Sequence, residues 1–153
     1  MKKTTLCYIE KDEKYLMLHR NKKQNDPNEG KWIGVGGKIR EYESPAECVK
    51  REVFEETGLI IKSPRFRGIV HFISEYYPNE DMYLYTADKF SGTLKECDEG
   101  DLQWINKDDV LSLNLWEGDK IFLEELKKDT HPFELTLSYG KDNLISYELR
   151  GIK

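Results

Sequence analysis

Apolar and polar positions alternate in short blocks along most of this chain, and clusters of turn-forming residues separate the blocks. Residues 3–10 and 14–20 predict a hairpin bent at KDEK, its second strand running through Tyr15, Leu16, Met17 and Leu18 to His19 and Arg20. NKKQNDPNEG predicts an exposed loop. KWIGVGGKI predicts a short apolar strand broken by Gly34, Gly36 and Gly37, where the backbone can turn tightly and approach a ligand or ion. Further strands are predicted at 59–62 and 66–75, with Pro64 between them, and at 82–90 and 102–105. GTLKECDEGD reads as a polar acidic loop, and 107–111 as one helical turn. Residues 116–128 predict an amphipathic helix with Phe122, Leu123 and Leu126 inward, and Pro132 forbids its continuation. A second hairpin, 133–139 and 144–149, bends around GKDN. Strands and helices that alternate around a cleft imply an α/β class, an α/β/α sandwich with a mixed sheet.

Between residues 45 and 57 the period changes to that of a helix. Ser44 and Glu47 form an S-x-x-E capping box with Pro45 at the first helical position, and Gly58 supplies a residue able to take the left-handed conformation that ends a helix. At about 3.6 residues per turn, Glu52, Glu55 and Glu56 project from one side, facing the cleft. Ala46, Val49 and Val53 form an adjoining stripe that packs on the sheet. Like charges at this spacing cost an isolated helix roughly a few tenths of a kcal/mol per pair, and a divalent cation would offset them. Magnesium takes hard oxygen ligands and shares substrate phosphates, so carboxylates lining an open cleft point to metal-assisted hydrolysis or transfer at phosphorus.

Composition narrows the partners. The chain has 153 residues, 38% hydrophobic and 35% charged, enough for one domain spanning 1–153 with a genuine core. No apolar run reaches membrane-span length and MKKTTLCYIEKDEKYL lacks a signal-peptide core, so the expectation is a cytoplasmic protein without membrane association. Cys7, Cys48 and Cys97 are widely spaced reduced thiols, and His19, His71 and His131 show no zinc-like spacing. A net charge of −5 argues against a nucleic-acid polymer as partner but not against a small polyanion that arrives with its magnesium.

The segment GKIREYESPAECVKREVFEETGL fills the pattern G-x5-E-x7-R-E-U-x-E-E-x-G-U at Gly37, Glu43, Arg51, Glu52, Val53, Glu55, Glu56, Gly58 and Leu59. This is the Nudix box, and the chain resembles the MutT-like Nudix hydrolases. The resemblance implies the Nudix fold and a Mg2+-dependent enzyme, Mn2+ being an alternative ion, that cleaves a nucleoside diphosphate linked to another group. In that family the carbonyl of the glycine before the box glycine joins the box glutamates at the metal, which maps to Gly36 beside Glu52, Glu55 and Glu56. A further acidic ligand comes from a later loop, here Glu99 first and Glu96 second. Glu56 or Glu52 would position or deprotonate the attacking water, while Arg51 would orient ligands by bonding a carboxylate such as Glu43 or Glu55. Arg20 and Lys38 are the cations placed to neutralise phosphate oxygens.

GKWIGVGGK, DEGDLQW and LNLWEGDK extend the likeness to the 8-oxo-dGTP diphosphatase subgroup. There a tryptophan followed by two aspartates reads the purine. Trp116 matches, the pair becomes Gly118 and Asp119, and a base-contacting asparagine is replaced by Ile33. Trp116 and Phe72 can still wall a base, and Asp119 can bond its edge. The expected substrate is an oxidised purine nucleoside triphosphate, cleaved to monophosphate and pyrophosphate by a monomer or homodimer. A hydrolase of ADP-ribose or a sugar nucleotide and a non-catalytic nucleotide-binding module are the competing expectations.

Overall fold

The structure is a computed structural model that describes residues 1–128 and 131–152. Its central strand is β1 (Lys2–Lys11), where every residue from Thr4 to Ile9 is buried. Burial on both faces requires a layer on each side. Leu6 and Tyr8 face one layer and Cys7 and Ile9 the other, by the two-residue period of a strand.

The remaining strands are β2 (Lys14–His19), β3 (Trp32–Ile33), β4 (Leu59–Lys62), β5 (Arg65–Ser74), β6 (Glu80–Ala87), β7 (Lys89–Gly92), β8 (Asp101–Asn106), β9 (Phe133–Tyr139) and β10 (Leu144–Gly151). The main sheet has eight strands in the order β10-β9-β5-β6-β1-β2-β3, with β8 also paired to β2. It is mixed: β1 with β6 and β5 with β9 are parallel, and the other pairs are antiparallel. Helix α1 (Pro45–Thr57) lays Val49 and Val53 on Cys7, Ile9, Leu16 and Val35. Helix α2 (Glu117–Leu126) lays Phe122, Leu123 and Leu126 on the opposite face, against Leu6, Tyr8, Val70, Leu84, Leu135 and Leu137. The result is the expected α/β/α arrangement. No helix among the described residues is long and apolar enough to cross a membrane.

Local chemistry sets the ends of α1. The Ser44 hydroxyl accepts from Glu47 N–H at 3.1 Å and Glu47 Oε1 accepts from Ser44 N–H at 3.0 Å, the reciprocal capping box. Gly58 ends the helix at φ 80°, a conformation that only glycine takes without strain, and hands the chain to β4. Ala46, assigned to the packing stripe, is exposed in the first turn; Cys48 and Thr57 are buried with Val49 and Val53.

Other boundaries differ from the sequence reading, among them the strand expected over KWIGVGGKI, which is only β3 at Trp32–Ile33. The run 82–90 is two strands, because β7 leaves the main sheet after Asp88 to pair with β4 under the end of α1. Lys95 N–H there donates to the Thr57 carbonyl at 2.8 Å. The turn at 107–111 is a short 3-10 helix at Val110–Ser112. Trp116 caps α2 in extended conformation rather than joining it, and α2 stops at Leu126.

Candidate active site

Glycine allows two chain segments to meet at the mouth of α1. After β3 the backbone crosses to β1, where Thr5 N–H donates to Gly37 O at 2.9 Å and Cys7 N–H to Val35 O at 2.7 Å. Carbonyls alternate in direction along an extended chain, so the Gly36 carbonyl between them points away from β1. A side chain at Gly37 would overlap the Glu52 carboxyl. On the other side, Gly100 packs against the His19 carbonyl, and the tight turn from Cys97 to Gly100 presents Glu99 next to Arg20.

These segments enclose a cleft of about 640 Å3, a volume typical of small-molecule sites. Its lining falls into two groups. One carries Arg20, Gly36, Lys38, Glu56 and Glu99; the other carries Phe72, Trp116, Asp119 and Tyr139.

In the first group Glu56 is the most perturbed. Burial, the neighbouring Glu99 and Glu52 carboxylates and a bond with Glu99 push its pKa up to about 9, against a smaller opposing pull from Arg20. Its Oε2 is buried without a hydrogen-bond partner. An orphaned buried carboxylate oxygen among other anions is a place a cation would stabilise.

Arg51 does not reach the cleft. Its Nε and Nη2 hold Glu43 bidentately at 2.6 and 2.9 Å, and Nη1 bonds Glu52 at 2.8 Å and Glu55 at 3.2 Å. This fork holds the Glu43 pKa down to about 2. Glu55 is turned toward the arginines. It is exposed, lies one turn after Arg51, sits 3.7 Å from Arg40, and is not among the cleft-lining residues. Glu96 is also turned outward, 3.6 Å from Lys22. Arg20 is not a free phosphate cation either: Asp26 and Glu99 hold it at 2.7 and 3.0 Å.

Among the described residues no three His, Cys, Asp or Glu side chains converge as ligands of one ion. Arg51 occupies a Glu52 oxygen and Arg20 a Glu99 oxygen. The donor set nevertheless fits a hard divalent ion: the cleft-lining carboxylates of Glu56 and Glu99 with the Gly36 carbonyl, Glu56 Oε2 lacking a partner, and the Glu52 carboxyl, outside the lining like Glu55 but near enough to Glu56 to raise its pKa.

The aromatic group packs around Tyr139, with Trp116 edge to face against it and Phe72 tilted. Trp116 and Tyr139 meet at 5.8 Å and 86°, and Phe72 lies 6.4 Å from Tyr139 while packing on the core. Tyr139 Oη accepts from Gly118 N–H at 2.7 Å, securing the first turn of α2. Trp116 Nε1 donates to Asn28 Oδ1 at 2.8 Å, and Lys31 Nζ lies 5.0 Å over its ring. Asp119 is only 5% exposed. Burial raises its pKa to about 7, opposed by Lys31 and reinforced by Glu80.

Sequence reasoning missed Asp26, Asn28, Lys31 and Tyr139. The first two had a signal in the turn tripeptide Asp26-Pro27-Asn28, where Asp26 Oδ1 accepts from Asn28 N–H at 3.0 Å. Tyr139 and Lys31 had none, because their parts depend on contacts with residues far away in the chain.

The "NUDIX domain" family model matches residues 2–126. The chain is 31% identical to the "Uncharacterized Nudix hydrolase YvcI" of Bacillus subtilis, the alignment covering 97% of this chain and 94% of that one. It is 32% identical to the "Oxidized purine nucleoside triphosphate hydrolase" of Mus musculus over 80% of each chain. Among solved structures, the MutT protein of Bacillus halodurans superposes with a TM-score of 0.88 at 30% identity, covering 97% of both chains. With the box residues on α1 and this likeness along nearly its whole length, the chain belongs to the Nudix hydrolase family.

Proposed function

We propose that this Nudix hydrolase cleaves nucleoside triphosphates to the monophosphate and pyrophosphate, with an oxidised purine such as 8-oxo-dGTP as the base it selects. The observation that carries the reading is a single cleft that joins a partly buried acidic group, Glu56 and Glu99 beside Gly36, to an aromatic wall with a buried carboxyl, Trp116 and Asp119. The likeness to the mouse oxidised-purine enzyme supports the choice of base. The protein would act as a cytoplasmic monomer or homodimer on free nucleotides.

Glu52, Glu56, Glu99 and the Gly36 carbonyl would hold Mg2+, or Mn2+ in its place. The ion would supply charge neutralisation for the phosphate chain and a lowered pKa for bound water. The chain's own residues do the rest. Trp116 and Phe72 wall the base, which fixes the phosphates relative to α1. Asp119, poised near neutrality, donates to or accepts from the base edge according to its protonation. Lys38 offers the phosphates a positive charge at the glycine crossing. Glu56, once its negative charge is stabilised, orients the attacking water and takes its proton. Arg51 holds Glu52 in place from outside the cleft.

The test is a Mg2+-dependent panel of 8-oxo-dGTP, dGTP, ADP-ribose and a sugar nucleotide, with pyrophosphate release followed for the triphosphates. The expected result is the highest kcat/KM for 8-oxo-dGTP, and Glu56→Gln lowering turnover by orders of magnitude without loss of fold. A higher kcat/KM for ADP-ribose or the sugar nucleotide would move the assignment to diphosphate derivatives. Binding without turnover by wild type would make the protein a non-catalytic module.

A further inference from the structure

Asp26 lies in the loop between β2 and β3 with its side chain 4% exposed, and its two oxygens have different partners. Oδ2 accepts from Arg20 Nε at 2.7 Å, and Oδ1 accepts from the Asn28 N–H at 3.0 Å. Each partner reaches one group of the cleft. Arg20 Nη1 donates to Glu99 Oε2 at 3.0 Å, and Asn28 Oδ1 accepts from Trp116 Nε1 at 2.8 Å. One buried carboxylate thus stands midway along a continuous path of hydrogen bonds from Glu99 to Trp116.

We propose that Asp26 is a positioning residue: it takes up the Nε side of the Arg20 guanidinium, so that Arg20 reaches Glu99 through Nη1 alone and does not grip that carboxylate bidentately against a divalent cation, and through Asn28 it holds the Trp116 ring in the wall of the base site. This rests on the metal and base roles given above to Glu99 and Trp116. A guanidinium presents its donors in a rigid fork and keeps its charge at every accessible pH. With Asp26 neutralised, the Nε side of the fork is released as well, and Arg20, already on Glu99 Oε2 through Nη1, can close on both Glu99 oxygens and compete with the cation for them. In Asp26→Asn the amide oxygen can still accept from Asn28 N–H, while the charge that restrains Arg20 is gone. This substitution therefore separates the two tasks.

The experiment is Mn2+ binding to the full chain without nucleotide, read from the electron paramagnetic resonance of free Mn2+. Wild type is titrated first, because a chain that binds no Mn2+ refutes the metal assignment itself and this role with it. Given binding, Asp26→Asn is expected to weaken Mn2+ affinity by about tenfold or more, the usual scale for a residue behind the ligands. The double variant Asp26→Asn/Arg20→Gln is expected to recover that affinity, since the competitor has been removed. Asn28→Ala is expected to leave Mn2+ affinity at the wild-type level and to raise KM for the nucleotide. Wild-type affinity in Asp26→Asn, or a double variant as weak as the single one, would overturn the proposal. If Asp26→Asn does not fold, Arg20→Gln alone decides: Mn2+ binding at least as tight as wild type is required, and weaker binding overturns it.

Discussion

At Asp119 the first turn of α2 buries a carboxyl beside an aromatic wall, and burial alone lifts it toward neutrality. Lys31 lowers the value and Glu80 raises it, so the group sits at about 7 against 3.8 for an ordinary aspartate. A carboxyl whose folded pKa exceeds its unfolded one binds more protons when folded. Its contribution is complete below the unfolded value and is lost as pH rises through the folded one. Between pH 5 and 8 wild type should therefore lose about 2–3 kcal/mol that Asp119→Asn does not lose. Denaturant unfolding of both chains at the two pH values checks this, and parallel losses would show that Asp119 ionises normally. The position of Asp119 was visible in the sequence beside Trp116; its burial was not, because that depends on α2 packing on the sheet. The same limit applies at Arg51. Its residue type and spacing predicted a carboxylate partner, but only the fold shows one guanidinium holding Glu43, Glu52 and Glu55 together.

Helix α1 was legible almost to the residue because its signals are local. Ser44 and Glu47 bond each other's backbone, and Gly58 takes φ 80°. Ser44→Ala should cost about 1 kcal/mol, the usual worth of an N-cap. Gly58→Ala should cost more, since it adds left-handed strain to an overlap with the Thr93 carbonyl. Urea denaturation at unchanged m-value ranks the two, and an equal or smaller loss for Gly58→Ala would mean that the helix end relaxes freely. The strands were less legible. Residues 82–90 read as one strand, and the polar pair Asp88-Lys89 is too brief a break to show that β6 ends there and β7 turns away to β4. Strand order was beyond the sequence altogether. The parallel pairing of β5 with β9 joins segments far apart in the chain, and periodicity carries no information about neighbours.

The whole molecule depends on that distant pairing. The family likeness by domain model ends at residue 126, yet β9 supplies Phe133, Leu135 and Leu137 to the core shared with α2, each no more than 4% exposed. Burying three such side chains is worth roughly 1.5–3 kcal/mol apiece, a sum comparable to the total stability of a small domain, about 5–15 kcal/mol. β10 differs: it is an edge strand whose residues are exposed or only partly buried. A chain ending at Lys128 should therefore show no cooperative unfolding transition and no hydrolysis. One ending at Tyr139 should keep a cooperative transition at a lower denaturant midpoint, because β9, the Tyr139 bond to Gly118 and the aromatic wall survive. Circular dichroism through a urea titration separates the two. If the shorter chain unfolded as cooperatively as the longer one, β9 would be an accessory to the core, and the base site, which relies on Tyr139 beside Trp116, would have to be supported from α2 alone.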